Sequence, residues 1–211
     1  MRRRITATNL NLTVFSESME LLLSICVGLG LSAACGFRIF VPLLVTSIAA
    51  HSGHLTLASN FQWIGSTEAL TAFSIATALE VGAYYIPWLD NFLDTVATPA
   101  AVVAGTVVTA SMVTDVSPFL KWSLAVVAGG GVAGAVQATT VLARGLSLTG
   151  TGGMANPLIA TAELGGSILT AIAAVVAPFM AIGLVLILMG IGAYKLIRRR
   201  AEKLPPVISA A

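Results

Sequence analysis

Apolar residues in this chain gather in long uncharged runs separated by short polar stretches. A helix crossing about 30 Å of hydrocarbon needs about 20 mainly apolar residues, because every backbone N–H and C=O must find its partner inside the segment. Six runs meet that length, and they predict helices over 20–50, 68–86, 92–114, 118–142, 156–177 and 179–197. The first exceeds one span and contains Pro42, so its last turns are expected to form a separate interfacial piece. The last two are divided only by Ala177-Pro178-Phe179, which by itself leaves open a single bent helix and five spans.

Charge decides between five and six. Short cytoplasmic loops are enriched in Lys and Arg. Arg2, Arg3 and Arg4 precede the first run, and Lys195, Arg198, Arg199, Arg200 and Lys203 close the last. Both termini are therefore expected in the cytoplasm and the number of crossings even. This orientation puts Arg144 in a cytoplasmic loop, with Lys121, His51, His54, Glu68 and Asp115 on the opposite side. The organisation that follows is a cytoplasmic segment 1–18, one transmembrane domain 19–197 and a basic cytoplasmic tail 198–211, in the plasma (inner) membrane. A signal-peptide reading of the first 35 residues is weaker, since cleavage before Cys35 would leave more apolar helix where a polar tether is needed.

Composition agrees. Of the 211 residues 57% are hydrophobic and 9% charged, and the mean hydropathy is +0.94. So few charges cannot cover a water-facing surface, which excludes a soluble enzyme, a disordered chain and a nucleic-acid binder. The two cysteines, Cys26 and Cys35, share one apolar run and indicate no disulfide framework. The fold class predicted is all-α and polytopic, with the lipid bilayer as the first partner.

Two local similarities suggest an internal repeat. Residues 27–34 (VGLGLSAA) resemble 128–135 (AGGGVAGA), and 75–80 (IATALE) resemble 159–163 (IATAE), in the same order. Halves of three helices each, 19–115 and 118–197, would enter the membrane from opposite sides, as in the inverted repeats of secondary transporters. Chance similarity among Gly, Ala, Ile and Thr is the competing explanation. Gly28, Gly30, Gly129, Gly130, Gly131 and Gly134 also read as helix-packing positions, because small residues let backbones approach closely in lipid.

Arg38, Glu80 and Glu163 are ionisable groups within apolar runs, which carry a cost of about 2.5–3.5 kcal/mol on insertion scales and therefore ask for a reason. Glu80 and Glu163 are expected at similar depth. In one reading they face a shared polar cavity and carry a proton or cation; in the other each is hydrogen-bonded to Ser, Thr or Gln137 or paired with Arg38 or Arg144. Arg38 snorkelling to an interface is a further alternative. Asp90 and Asp94 suit the start of a helix, and Tyr84, Tyr85 and Trp88 an interfacial aromatic anchor. With Glu80, Asp90 also contributes to an acidic mouth.

No enzymatic signature is present. His51 and His54 lie in a loop without a carboxylate to complete a metal site, and the glycine clusters lack a phosphate-binding lysine. Residues 146–155 read as a flexible polar linker. No cofactor is implied.

The ordered pieces Ala34-Cys35-Gly36-Phe37-Arg38 with Pro42, Glu80 with Ile86-Pro87 and Asp90, Gly134-Ala135-Val136 leading to Arg144, then Asn156 and Ala162-Glu163, resemble the family called domain of unknown function 4126. The likeness covers about residues 20–200. It implies a multi-pass membrane protein and no established activity. The chain departs from the family pattern at Tyr84-Tyr85, Gln137 and Leu164. The leading function consistent with this much is a small transporter or channel-like protein for an ion or polar solute, with Arg38, Glu80 and Glu163 in the pathway; the second is a non-transporting membrane partner of another complex, and an intramembrane enzyme is a distant third. A homodimer fits the small size of either.

Overall fold

The computed structural model describes residues 7–114 and 116–178, with 180, 183, 187 and 190; side chains are described from Phe15 onward, apart from Pro87, Trp88, Asp90, Asn91, Phe92 and Asp94. Among them the chain is helical, without strands. The elements are α1 (Ala7–Cys35), α2 (Phe40–His51), a 3-10 turn (Ser59–Gly65), α3 (Thr67–Ala83), α4 (Pro87–Met112), α5 (Pro118–Leu124), a π-helical stretch (Ala125–Gly130), α6 (Gly131–Thr151) and α7 (Asn156–Val176). Four helical stretches are long and apolar enough to cross a membrane: Phe15–Cys35, Thr95–Met112, Pro118–Thr151 and Asn156–Val176. The chain thus reads as an integral membrane protein with four such helices among the described residues, where the sequence predicted six. The predicted sixth span, 179–197, and the basic tail lie outside the described residues.

The first run breaks at residues 36–39, before Pro42. Pro42 is the third residue of α2, where a missing N–H removes no intrahelical bond, so it marks a helix start and not a kink. The helix that follows has only 12 residues, and α3 has 17. Ser66 caps α3 by accepting from the Ala69 N–H. Glu68, in the first turn, has its carboxyl held below the usual range by its own backbone N–H and by the Ser66 hydroxyl. At the far end of α6 the helix runs through what the sequence suggested was a flexible linker. It stops only at Gly152 and Gly153, with φ of 63° and 86°. Their N–H groups bond to the carbonyls of Leu148 and Ser147, a Schellman close that the glycines permit.

Side-chain contacts fix the helix directions. The Thr109 hydroxyl donates to the Gly28 carbonyl at 3.2 Å, and Gly105 faces Ser32, so α1 and α4 run antiparallel. Ser32 donates to the Gly129 carbonyl, and Gly36 faces Ala133, so α1 and the helix built from α5 to α6 run parallel. Ser167 donates to the Ala34 carbonyl at 3.0 Å and Arg38 reaches Ala160, so α7 runs antiparallel to α1.

These directions correct two expectations. In the six-span scheme the helices over 20–50 and 92–114 would run parallel; they oppose each other. In an inverted repeat the helices over 20–50 and 118–142 would be opposed; they run together. The physical reason is the break at 36–39. Ala34 sits beside Ser167, which is 11 residues after Asn156 in a helix of 21, so α1 stops about half-way along α7. α2 then turns back, and the Ala58 N–H bonds to the Ser111 carbonyl near the end of α4. Residues 52–66 consequently lie at the same end of the bundle as Thr114, which shares a groove with Glu17, Ser18, Glu20 and Leu21. The turns at 84–86 and 152–155 lie at the other end, joined near Tyr85, whose hydroxyl is 3.0 Å from that of Thr161.

A labelling experiment reads this directly. Single cysteines at Ser18, Ser52 and Thr149, in a background lacking Cys26 and Cys35, are treated with a membrane-impermeant maleimide in vesicles of defined orientation. Ser18→Cys and Ser52→Cys are expected to react from one side and Thr149→Cys from the other. Reaction of the first two from opposite sides would restore the six-span scheme.

Candidate functional site

The break between α1 and α2 places Arg38 inside the bundle, 2% exposed, with no route to an interface; it does not snorkel. Its Nη2 donates to the Ala160 carbonyl at 2.9 Å and lies 3.5 Å from Glu163 Oε2. Glu163 is held more tightly from the other side. Arg144 Nε donates to Glu163 Oε1 at 3.1 Å, and Arg144 Nη2 donates to Oε2. This two-pronged geometry matches a guanidinium to a carboxylate. Arg144, which the sequence suggested lay in a cytoplasmic loop, is therefore within α6 and 4% exposed. It and Glu163 lie seven residues from the ends of α6 and α7 that flank the turn, which sets them at one level, and both face the shared interior.

Tyr84 completes the cluster. The Arg38 guanidinium carbon is 3.7 Å and that of Arg144 4.5 Å from the centre of its ring. Contacts of this kind contribute about 2 kcal/mol when desolvated. Tyr84 is thus buried and does not act as an interfacial anchor; its neighbour Tyr85 is the exposed one.

Glu80 serves the same region by a different route. Its two carboxylate oxygens accept from the Ile39 N–H at 2.8 Å and the Phe40 N–H at 3.0 Å. α2 has no cap of its own, since Ile39 offers no acceptor, and Glu80 supplies one from α3. An anion at a helix start satisfies orphan donors and complements the helix dipole. Glu80 and Glu163 do therefore meet one polar region, as their predicted depths implied, both against residues 38–40. Glu80→Ala is expected to cost about 1–2 kcal/mol and to speed amide exchange at Ile39 and Phe40, measured by hydrogen exchange. Glu80→Gln, which keeps one acceptor, should restore part of it.

Of the remaining residues singled out by sequence, Gln137 is buried on α6, two turns before Arg144. Asp90 lies in the first turn of α4, and its side chain, like that of Asp94, is outside those described. His51 Nδ1 is 2.9 Å from the Gly65 carbonyl and His54 Nδ1 2.9 Å from the Ser52 hydroxyl, at the exposed loop. Among the described residues no group of three or more His, Cys, Asp or Glu is placed to hold a metal ion.

The glycines divide. A side chain at Gly28 would press on Thr109, at Gly129 on Thr109 and Gly105, and at Gly134 on Val102. Gly30 is buried on α1. Gly131 is exposed, and no described residue lies within 4 Å of a Cβ placed there. Gly130 presses on Thr106 and Val102, and Gly36 and Gly105, which the sequence did not single out, are close-approach positions as well. Gly129, Gly130 and Gly134 share one helical face, and at about 100° per residue Gly131 points away from it.

A family model described as domain of unknown function (DUF4126) matches residues 25–198. No curated protein and no solved structure matches.

Proposed function

The chain belongs to the DUF4126 family, and from that premise we propose that it is a small membrane transporter or channel-like protein whose solute passes the cluster of Arg38, Arg144, Glu163 and Tyr84. The observation that carries this reading is the ion pair of Glu163 with Arg144 and Arg38, buried where α1 stops half-way along α7. Ionisable groups at such depth are expensive, and discontinuous helices meeting at mid-depth are how many carriers build a solute site. A carboxylate shared between two guanidiniums is also a contact that has two arrangements, which an alternating carrier needs.

The test is flux in liposomes holding the purified protein, across a panel of cations and anions and under imposed pH gradients. Wild type is expected to exceed empty liposomes, and Glu163→Gln to change the rate by about tenfold or more, equivalent to about 1.4 kcal/mol in a barrier. No flux from inserted, folded protein would move the weight to the second reading, a non-transporting partner of another membrane complex, alone or as a homodimer. That reading draws on a specific feature: Glu80 and Glu163 both have full structural employment, one as a helix cap and one as an ion-pair partner.

A further inference from the structure

Resting on the transport reading, we infer that the Arg38 side of this cluster is a binding site for a small oxyanion, a carboxylate or an inorganic oxyanion. The charge of Arg38, Arg144, Glu80 and Glu163 sums to zero, but their hydrogen bonds do not balance. Glu80 spends its oxygens on the Ile39 and Phe40 N–H groups, and Glu163 is gripped by Arg144. Arg38 keeps only Nη2 engaged; its Nε and Nη1 are buried and have no hydrogen-bond partner among the described residues. That leaves three N–H donors of a charged group, one on Nε and two on Nη1, without acceptors. A buried charged donor left in this state is costly, and nothing in the fold requires it, because Nη2 alone makes the connection to α7.

The missing element is an acceptor carrying negative charge. A cation would meet two guanidiniums, both within 4.5 Å of the Tyr84 ring centre, and be repelled. A neutral solute would offer these guanidinium donors a weaker acceptor than an anionic oxygen does. Tyr84 covers the Arg38 guanidinium from the end of α3, three residues before Pro87. Glu163 is the resident competitor for the same guanidinium at 3.5 Å, and an entering oxyanion takes its place on Arg38 while Arg144 retains it.

Calorimetric titration of the purified protein in micelles, in buffer free of the probes, with sodium acetate, nitrate, phosphate and chloride tests the site separately from flux. Saturable binding of at least one oxyanion is expected, with acetate or an inorganic ion distinguishing the two sources. Arg38→Lys, which keeps the charge but loses the Nε and Nη1 donors, should weaken it by about tenfold or more. Glu163→Gln, which weakens the competitor, should tighten it by a similar factor; where Arg38→Lys is not monodisperse, this variant decides. No oxyanion binding in wild type and Glu163→Gln, or binding indifferent to both substitutions, overturns the site. Cation flux without oxyanion binding would leave the transport reading standing and sink this one, and binding without flux would do the reverse.

Discussion

Glu163→Ala is expected to lose most of the folded protein. The substitution leaves Arg144 and Arg38, 4% and 2% exposed, without the carboxylate that lies between them. Breaking a buried pair by removing one partner costs about 3–5 kcal/mol, because the remaining charge has neither water nor a counter-charge. Against a typical total of about 5–15 kcal/mol this is a large share. The check is denaturant unfolding in micelles followed by circular dichroism, with yield and monodispersity alongside. Glu163→Gln keeps an acceptor of the same shape and should cost less. The joint substitution Arg144→Met with Glu163→Met removes both members of the tighter pair and should be milder than Glu163→Ala, since no uncompensated Arg144 remains. A Glu163→Ala protein as stable as wild type would mean that the ion pair contributes nothing to folding.

The second large effect concerns packing. Gly129→Leu is expected to prevent α4 from seating against the π-helical stretch. A Cβ at this position meets the Thr109 Oγ1, the Thr109 Cβ at 2.7 Å and the Gly105 carbonyl at 2.8 Å, and backbone cannot rotate aside as a flexible side chain does. The same residues hold α1, since Ser32 bonds to the Gly129 carbonyl and Thr109 to that of Gly28. In lipid, close approach of backbones and hydrogen bonds between helices replace the hydrophobic drive, so the loss spreads to three helices at once. Overpacking a filled site costs about 1–3 kcal/mol before the lost hydrogen bonds are counted. Gly131→Leu is the control: with no described residue facing that position it should stay within about 0.5 kcal/mol of wild type. Size-exclusion profiles and unfolding midpoints compare the two. Equal damage from both would show that this face does not distinguish the glycines.

The sequence was informative about the charged residues one at a time and silent about how they combine. Arg38, Glu80 and Glu163 stand out because each interrupts an apolar run, and all three reach one region. Arg144 was misplaced because a charge ends the uncharged run at 142 and suits a cytoplasmic loop, whereas α6 continues past it to Thr151 and closes at Gly152 and Gly153. Spaced seven residues from that close, with Glu163 seven residues into α7, the pair was visible in principle once the turn was correctly placed. Tyr84 offered no such signal. An aromatic next to a proline at the end of an apolar run has the same pattern whether it anchors an interface or stacks on guanidiniums, and only the arrival of α1, α6 and α7 at its ring decides.

Composition and run length sufficed to make the chain helical, apolar and long enough to cross a membrane, because backbone hydrogen bonding in hydrocarbon leaves few alternatives. The ordered motifs sufficed to identify the family. Direction and depth did not follow, since an apolar run has the same composition whether it crosses fully or turns back half-way. The break at 36–39 needs Glu80, 40 residues further on, to satisfy the N–H groups that open α2. Likewise Arg38 needs Ala160 and Glu163, more than 120 residues away, to be held inside the bundle. Local pattern fixes what each segment is able to form; partners brought from distant segments decide where the helices stop, which way they run and which charges they enclose.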